Sequence, residues 1–283
     1  MINSDKIERQ KEMKEWFKTQ SIQYFHDLSN DKFYDDIIFN KKENGYYVEI
    51  GVLDGWQHSQ SIHFEYLKNW NGIVVEPTPQ WFEKLNKHRC CNICTSAISD
   101  KRGKAKFVVR DFLAYSHLED IEEVYGPNDT ITTEEVDTIT LYDLLEKYQS
   151  PTEIDFVAID TEGYELRILE KYFEENDKYK INLISLEHSR LTEVDSFFKD
   201  KPYVRISNPY LNFIKLDANK LGTLRLHMDN NFYNSAGEIY QGSIRDLDNI
   251  FWEHYFIHSD FLNKHPDLRK FILNPQDIPI KFV

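Results

Sequence analysis

The chain has 283 residues, of which 41% are hydrophobic and 14% are aromatic. This apolar content is sufficient for the packed core of one large domain, or one domain with additions, and it excludes a wholly disordered chain. The formal net charge of −14 argues against a broad nucleic-acid-binding surface, which requires clustered Lys and Arg.

The sequence also lacks the usual marks of membrane proteins and secreted proteins. No apolar stretch approaches membrane-spanning length, and residues 1–6 lack the charged-then-apolar layout of a signal peptide. We therefore expect a cytoplasmic protein with no membrane span.

All three cysteines, Cys90, Cys91 and Cys94, lie close together. Cys91 and Cys94 have a spacing that can serve redox chemistry or half of a zinc site. Because the sequence contains no second cysteine pair, small buried thiols in a strand are the favoured interpretation.

The N-terminal residues predict two helices. Residues 5–18 mix charged and apolar side chains at helical spacing, and residues 31–39 predict a short helix with Phe33, Ile37 and Ile38 facing inward. We expect this helical segment, residues 1–45, to pack across the core and help cover a ligand.

The run Tyr46–Ile50 is β-branched and aromatic, which predicts a buried parallel strand. It ends in a turn at Gly51 and reaches Gly55 before a helix predicted over 59–69, with Ser59 as its N-cap. Such a turn brings backbone N–H groups close to a ligand. Glu49, near the strand end, favours a ligand with positive charge, such as S-adenosylmethionine, over a phosphate.

A second apolar run, Gly72–Glu76, predicts the next strand and also ends in an acid. Doubly wound folds bind ribose hydroxyls through an acid at this position. Pro77 and Pro79 end the strand, and a helix is predicted over 80–87.

The remaining elements alternate between strands and helices. Further strands are predicted over 92–98, 104–110, 154–160, 181–186, 203–206 and 211–216, with helices leading to Lys147 and following Glu165. Residues 111–135 read as a loop that contains Ser116 and His117, and this lone histidine is more often incidental than catalytic. The alternation predicts a parallel-rich, three-layer α/β domain.

This alternation is lost after Asp217, so we divide the chain into a domain over 46–218 and a C-terminal extension over 219–283. Trp252, His254, Tyr255 and His258 lie at near-helical spacing, which favours a helix burying aromatics over a sugar pocket. The extension is expected to serve the acceptor side or contacts within a homo-oligomer. A chain ending near Asn219 is therefore expected still to bind cofactor.

Several motifs in fixed order carry a family resemblance. They are Val48-Glu49-Ile50-Gly51-x-x-Asp54-Gly55, Trp70-x-Gly72-Ile73-x-x-Glu76-Pro77-x-Pro79, Ala97-Ile98-Ser99-Asp100, Thr138-Ile139-Thr140-Leu141, Ile159-Asp160-Thr161-Glu162-Gly163-Tyr164-Glu165 and Glu187-His188. In this order, from about Asp31 to His188, the chain resembles the FkbM-type methyltransferases. It departs from them at Val52-Leu53, where Ala-Asn is usual.

The resemblance implies an S-adenosylmethionine-dependent enzyme with the class I methyltransferase fold, a Rossmann-like, doubly wound and mostly parallel sheet with N- and C-terminal additions. Characterised members of that family mostly methylate hydroxyls of sugars or natural products. By the same resemblance, the residues around Glu49 would hold the methionine portion, Glu76 would bind the ribose, and Ala97 would lie beside the adenine. The implied cofactor site comprises Glu49, Gly51, Asp54, Gly55, Ser59, Glu76, Pro77, Ser96 and Ala97.

Methylation of an alcohol requires removal of its proton as the methyl group arrives, so a general base or a metal ion is expected. His188 is the preferred base, because histidine side chains titrate near neutrality, and Asp160 and Glu162 complete the predicted catalytic set. Alternatively, these three residues hold magnesium or manganese, ions that suit hard oxygen ligands with one imidazole. For Glu165, a simple helix-start acid is favoured over a functional role.

The sequence thus predicts an O-methyltransferase acting on a carbohydrate or glycoconjugate hydroxyl. Another small-molecule hydroxyl is the nearest alternative. A catalytically silent module that only binds S-adenosylmethionine is the alternative from a different class, and the acidic balance disfavours a nucleic-acid methyltransferase.

Overall fold

The computed structural model describes residues 4–19, 23–26, 28–110, 115–121, 130–188, 191–210, 214–215, 223–226, 232–233 and 252–273. The strands are β1 (Tyr46–Ile50), β2 (Asn71–Val75), β3 (Asn92–Cys94), β4 (Ala97–Ile98), β5 (Gly103–Arg110), β6 (His117–Leu118), β7 (Thr130–Ile139), β8 (Glu153–Ile159), β9 (Lys180–His188), β10 (Tyr203–Ile206), β11 (Ile214–Lys215), β12 (Thr223–Leu226), β13 (Phe232–Tyr233) and β14 (Trp252–His258).

The α-helices are α1 (Ser4–Thr19), α2 (Asn30–Phe33), α3 (Ile62–Leu67), α4 (Phe82–His88), α5 (Leu141–Lys147), α6 (Glu165–Glu175), α7 (Leu191–Phe198) and α8 (Ser259–Lys264). A π-helical turn, Tyr34–Ile38, continues α2, and 3-10 turns at Pro79–Trp81 and Pro266–Phe271 precede α4 and follow α8. No helix among the described residues is long and apolar enough to cross a membrane.

Seven strands form the central sheet in the order β10-β14-β9-β8-β1-β2-β3. β1 pairs in parallel with β2 on one side and β8 on the other, so that Val48 lies opposite both Ile73 and Val157. These strands are almost wholly apolar because the sheet is covered on both faces. The predicted doubly wound, mostly parallel sheet is confirmed, and its strand order reverses between β1 and β8, where such folds bind ligands.

A smaller sheet, in the order β4-β7-β5-β6, lies beside the central one. The predicted third strand over 92–98 is therefore wrong in part, because β3 belongs to the central sheet whereas β4 pairs with β7. The predicted loop over 111–135 is also wrong in part, because it contains β6 and the start of β7. The polar composition of Thr130–Glu135 suits a strand with a solvated face, which sequence alone did not separate from a loop.

The helix predicted over 59–69 is shorter in the structure and begins at Ile62. Ser59 is not the residue that immediately precedes this helix, yet its Oγ accepts the backbone N–H of Ile62 at 3.1 Å. The side chain therefore satisfies one free N–H of the helix start from two residues further back.

The N-terminal helices pack on the central domain as expected. Phe33 and Ile38 are fully enclosed, and Ile37 is partly buried against the same cluster. On α1, Phe17 stacks on Tyr66 of α3 with 4.9 Å between ring centroids. Cys90 and Cys94 are buried free thiols, in keeping with the structural interpretation of the cysteines.

The C-terminal extension contributes a strand to the central sheet. β14 lies between β9 and β10 and is antiparallel to both, with Phe256 opposite Ile184 and Arg205. The predicted aromatic helix is therefore wrong. A buried strand has apolar residues on both faces, and this pattern resembles that of a buried helix. The boundary at 218/219 stays a prediction, but the sheet is incomplete without Trp252–His258.

Candidate functional site

A cavity lies at the carboxyl ends of β1, β2 and β8, and its space of about 660 Å³ includes open solvent at the mouth. The smaller sheet supplies its opposite wall. The lining residues are Ile50, Gly51, Leu53, Val75, Glu76, Pro77, Thr78, Ala97, Ile98, Phe107, Ser116, Leu118, Asp160, Thr161, Glu162 and Tyr164. Of the predicted site residues, Gly51, Glu76, Pro77, Ala97, Asp160 and Glu162 therefore line the cavity.

The turn after β1 is fixed by glycine. Gly51 has φ +85°, and a Cβ at this position would overlap the carbonyl oxygen of Asp160. The N–H of Gly51 is bonded to Val75 O at 2.9 Å, and Ile50 O accepts the N–H of Asp160 at 3.0 Å. The turn is thereby held between β2 and β8, and its backbone lies on the cavity floor.

Gly55 and Asp54 act behind the turn. A Cβ at Gly55 would lie 2.6 Å from a Leu85 methyl and 2.8 Å from Arg89 Cγ, so that glycine permits close packing on α4. Asp54 Oδ1 accepts the N–H groups of Trp56 and Gln57 at 2.9 and 3.0 Å. Neither residue lines the cavity, although both shape the loop that does.

Glu49 faces away from the cavity into a buried polar network. Its carboxylate accepts the Ser59 hydroxyl at 3.0 Å, the Gln60 N–H at 2.6 Å and the Ser61 hydroxyl. The guanidinium of Arg89 lies 3.6 Å away. Glu49 therefore stabilises the loop after β1, and direct contact with a cofactor would need these partners to be exchanged.

Arg89 was not identified from the sequence, yet it is fully buried at the centre of this network. Its Nε donates to Glu65 Oε2 at 2.7 Å, and its terminal nitrogens bond the Gly55 carbonyl, Ser59, Tyr47 and Ser61. One cation thus neutralises two buried acids and holds the loop in place. A lone arginine after a helix gives no sequence signal for such a role.

We expect Arg89→Met to lower the free energy of unfolding by about 3–5 kcal/mol, because removal of one partner leaves buried carboxylates without a counter-charge. Urea unfolding measures this change. The matched control is Arg102→Met: Arg102 is 51% exposed and pairs with Asp143 and Glu175 at the surface, where such pairs contribute about 0–1 kcal/mol. Equal effects of the two substitutions would contradict the role of Arg89.

Glu76 lies one residue beyond β2, and both of its oxygens accept backbone N–H groups. Oε2 is bonded to Leu53 at 2.9 Å and Oε1 to Thr78 at 2.8 Å. Burial raises the pKa of Glu76 to about 7, although the bonds from Thr78 and Leu53 act in the opposite direction. Each carboxylate oxygen has two acceptor sites, so the side chain retains capacity to accept hydroxyls of a ligand.

An apolar wall faces Glu76 across the cavity. Ala97, Ile98, Phe107 and Leu118 are all buried and line it. Ser96, between β3 and β4, is not among the lining residues. The alternation of 104–110 could have indicated an inward Phe107, but its partner Leu118 lies in a segment that reads as a loop.

Asp160 and Glu162 are the acids at the end of β8 that line the cavity. Burial, followed by repulsion from Glu187 and Glu253, raises the pKa of Asp160 well above its ordinary value. Glu162 has φ +58°, a backbone conformation that is uncommon outside glycine and occurs at functional sites. Its Oε2 is enclosed and has no hydrogen-bond partner among the described residues.

Glu165 fixes the turn that presents these acids. It is fully buried, and its Oε1 accepts the N–H groups of Thr161 and Gly163 at 2.9 and 3.0 Å. Its Oε2 lies 3.2 Å from His188 Nδ1. Burial alone would raise the pKa of Glu165, but the hydrogen bond and charge of His188 lower it below the ordinary value. Glu165 lies in the first turn of α6, as expected for a helix-start acid, and it also binds the preceding turn and His188.

His188 does not line the cavity. Its Nδ1 contacts Glu165, its Nε2 lies 3.6 Å from Glu193, and its carbonyl lies 3.1 Å from His254 Nε2. The side chain is thus arranged to support Glu165 and the turn that carries Glu162. Its role as the base stays a prediction.

The chemistry of the residues that line the cavity fits S-adenosylmethionine. The cavity offers an apolar wall for a base, a carboxylate for hydroxyls, a glycine turn for close backbone approach, and acids for a cationic group. Among the described residues, no group of three or more His, Cys, Asp and Glu side chains has the geometry of a metal site.

Comparison with known proteins also indicates a methyltransferase. The family model described as "Methyltransferase FkbM domain" matches residues 45–205. None of the curated proteins compared with the chain matches it.

Solved structures give weaker matches. The precorrin-6Y C5,15-methyltransferase from Geobacter metallireducens GS-15 has a TM-score of 0.38 at 11% identity, over 77% of this chain and 82% of that one. The human methyltransferase 10 domain containing protein has a TM-score of 0.36 at 10% identity, over 89% of this chain and 82% of that one. Because these scores are low, the fold is assigned from the strand order together with the family match.

Proposed function

The chain belongs to the FkbM methyltransferase family, and from this premise we propose that it methylates a hydroxyl group of a sugar or glycoconjugate. The family makes it an S-adenosylmethionine-dependent methyltransferase with the class I fold. The acceptor class is our proposal. It is supported by the resemblance to enzymes that methylate such hydroxyls and by the unpartnered, enclosed carboxyl oxygen of Glu162 at the cavity.

In this proposal some residues of the cavity bind the cofactor and others act on the acceptor. Glu76 accepts the ribose hydroxyls, and the wall formed with Phe107 and Leu118 packs on the adenine. Asp160, which lines the cavity next to the Gly51 turn, faces the cationic end of the cofactor. S-adenosylmethionine, when bound, supplies an electrophilic methyl group on a sulfonium.

Glu162 takes the remaining task, removal of the hydroxyl proton. A hydroxyl is a weak nucleophile until a positioned base accepts its proton, and a base works best when its pKa is near the operating pH. Burial, then repulsion from Asp160 and Glu165, raises the pKa of Glu162 well above its ordinary value. Glu165 and His188 hold the turn so that the carboxyl group keeps its position.

The cofactor placement is tested by Glu76→Ala. We expect its S-adenosylmethionine affinity, measured by calorimetry, to fall on the order of a hundredfold. Hydrogen bonds to a charged group contribute about 1.5–3 kcal/mol each, and about 1.4 kcal/mol is tenfold in affinity. Glu83→Ala, which removes an exposed acid from nearby α4, is the control. Unchanged affinity in a folded Glu76→Ala protein would refute the placement.

The pKa of Glu76 also gives a pH dependence. Below about pH 7 the carboxyl group of the free protein is protonated and accepts hydroxyls less well, so the affinity is expected to fall as the pH is lowered through this value. In folding, the raised pKa has the opposite consequence. The folded chain keeps a proton on Glu76 that the unfolded chain releases above pH 4.5. The contribution of this carboxyl group to the free energy of unfolding is therefore lost as the pH rises from 4.5 to about 7.

The reaction class is tested with labelled S-adenosylmethionine on defined sugars, sugar acids and sugar phosphates. We expect the label in a methyl ether, identified by mass spectrometry after hydrolysis. Transfer only to hydroxyls of other small molecules would favour that alternative acceptor class. Cofactor binding without transfer to any acceptor would favour the silent binding module.

A further inference from the structure

Arg110, the last residue of β5, is a buried cation with unused hydrogen-bonding capacity. It is 3% exposed, and its Nε and Nη1 have no hydrogen-bond partner in the part of the chain that the structure describes. Burying a guanidinium without partners costs free energy, because its donors lose water and gain nothing in exchange. Such a group is expected to meet a ligand.

The other buried arginines among the described residues each have an acidic partner. Arg89 is paired with Glu65 at 2.7 Å and Arg205 with Asp195 at 2.5 Å. No described acid lies within ion-pairing distance of Arg110. The difference indicates that the counter-charge of Arg110 comes from outside the described part of the chain.

The charge of the Arg110 guanidinium acts on the candidate base. Its charge opposes the rise in pKa that burial and the neighbouring Asp160 impose on Glu162. It also adds to burial in lowering the pKa of His117. The backbone N–H of Arg110 donates to Ser116 Oγ at 3.2 Å, and Ser116 lines the cavity. Arg110 therefore lies at the Glu162 side of the site.

The pairing of β5 with β7 is irregular just before Arg110, between Val109 and Arg110. Phe107 lies opposite Leu118, and Val108 lies opposite His117. Side chains alternate between the faces of a strand, and directly opposed residues share a face. Phe107 and Leu118 therefore share the face that lines the cavity, whereas the shift before Arg110 takes its side chain out of this simple alternation. A group bound to Arg110 would lie at the end of β5, next to Ser116 on the cavity wall.

From these observations we infer that Arg110 binds an anionic group of the acceptor, a carboxylate or a phosphate, while Glu162 faces the hydroxyl to be methylated. An arginine binds either group through paired, charge-assisted hydrogen bonds. The acceptor class is then an acidic sugar, either a sugar acid or a sugar phosphate. This inference rests on the proposed function for the identity of the reacting group.

The test uses the full chain with arginine Nε–H resonances observed by NMR. The Arg110 resonance is assigned from its loss in Arg110→Lys or, independently, in Arg110→Gln. D-glucuronate, D-glucose 6-phosphate and D-glucose are added in turn in the presence of S-adenosylhomocysteine. We expect a saturable shift of the Arg110 resonance with one or both acidic sugars and none with glucose, and Arg110→Gln to weaken that binding by about tenfold or more.

Arg89 provides the internal control, since its guanidinium is already paired and its resonance should not move. The inference is overturned if no probe moves the Arg110 resonance or if glucose moves it equally. It is also overturned if S-adenosylhomocysteine alone moves it and 5′-methylthioadenosine, which lacks the carboxylate, does not. That result would assign Arg110 to the methionine carboxylate of the cofactor.

Methyl transfer, measured separately, distinguishes this inference from the proposed function. Label transferred to neutral sugars only would overturn the anion site and leave O-methylation intact. A responsive Arg110 resonance without transfer to any acceptor would support the anion site and refute the proposed reaction.

Discussion

Replacement of Glu162 by Gln is expected to lower turnover by about a hundredfold or more, the usual contribution of a positioned general base, with little change in cofactor affinity. The amide keeps the size of the side chain and cannot accept the proton. Because burial, then Asp160 and Glu165, raises the pKa of Glu162 above its ordinary 4.5, the acidic limb of the kcat profile should lie above pH 4.5. Turnover falls as the pH drops through the raised pKa, and Glu162→Gln should lack this limb.

Two further variants decide between the candidate bases. Asp160→Asn should weaken cofactor binding as well as turnover, because we place Asp160 at the cationic end of the cofactor. His188→Ala should lower turnover less than Glu162→Gln while keeping the acidic limb, because the contacts of His188 support Glu165. Loss of the limb in His188→Ala, with an active Glu162→Gln enzyme, would instead identify His188 as the base.

A metal ion is the remaining alternative for lowering the pKa of the hydroxyl. In that case a chelator should abolish turnover, and added magnesium or manganese should restore it. Full turnover in chelator, combined with inactive Glu162→Gln, would support the base mechanism.

A chain that ends at Asn219 is expected to lose the native fold and, with it, cofactor binding. This reverses the expectation from the sequence, because β14 is the strand that joins β9 to β10. Without it, the edge of β9 is exposed and the buried side chains of Ile257, Phe261 and Leu268 are absent. Circular dichroism, urea unfolding and calorimetry with S-adenosylmethionine measure the loss.

The control chain ends at Leu273 and keeps every described strand, so it should unfold cooperatively and bind cofactor. A point variant tests the same packing if the truncated protein cannot be produced. Phe256 stacks on Phe198 with 3.7 Å between ring centroids, and Phe256→Ala should cost about 3–5 kcal/mol of stability. A truncated chain that still folds and binds cofactor would show that β14 is dispensable.

The sequence by itself determined the doubly wound sheet and the sheet edge at which the candidate cavity lies. Runs such as Tyr46–Ile50 and Glu153–Ile159 are apolar enough to require a sheet covered on both faces. Gly51 follows β1 and Glu76 follows the neighbouring β2. Both residues lie at the same edge of the sheet, because parallel strands have their carboxyl ends at one edge. These local patterns need no knowledge of distant contacts.

Only the tertiary structure decided which acids face the cavity. Glu49 and Glu76 look alike in sequence, yet Glu49 is taken up by Ser59, Ser61 and Arg89, whereas Glu76 lines the cavity. Arg89, which completes the network around Glu49, follows α4 and is far from Glu49 along the chain. No local pattern contains that information.

The same reason applies to His188, Glu165 and the last strand. Glu165 is buried because α6 begins against β9, and His188 reaches it across adjacent strand ends. Trp252–His258 forms a strand because an edge between β9 and β10 is available to pair with it. The apolar pattern of this segment is compatible with a helix or a strand, and hydrogen bonding to β9 and β10 determines that it forms a strand.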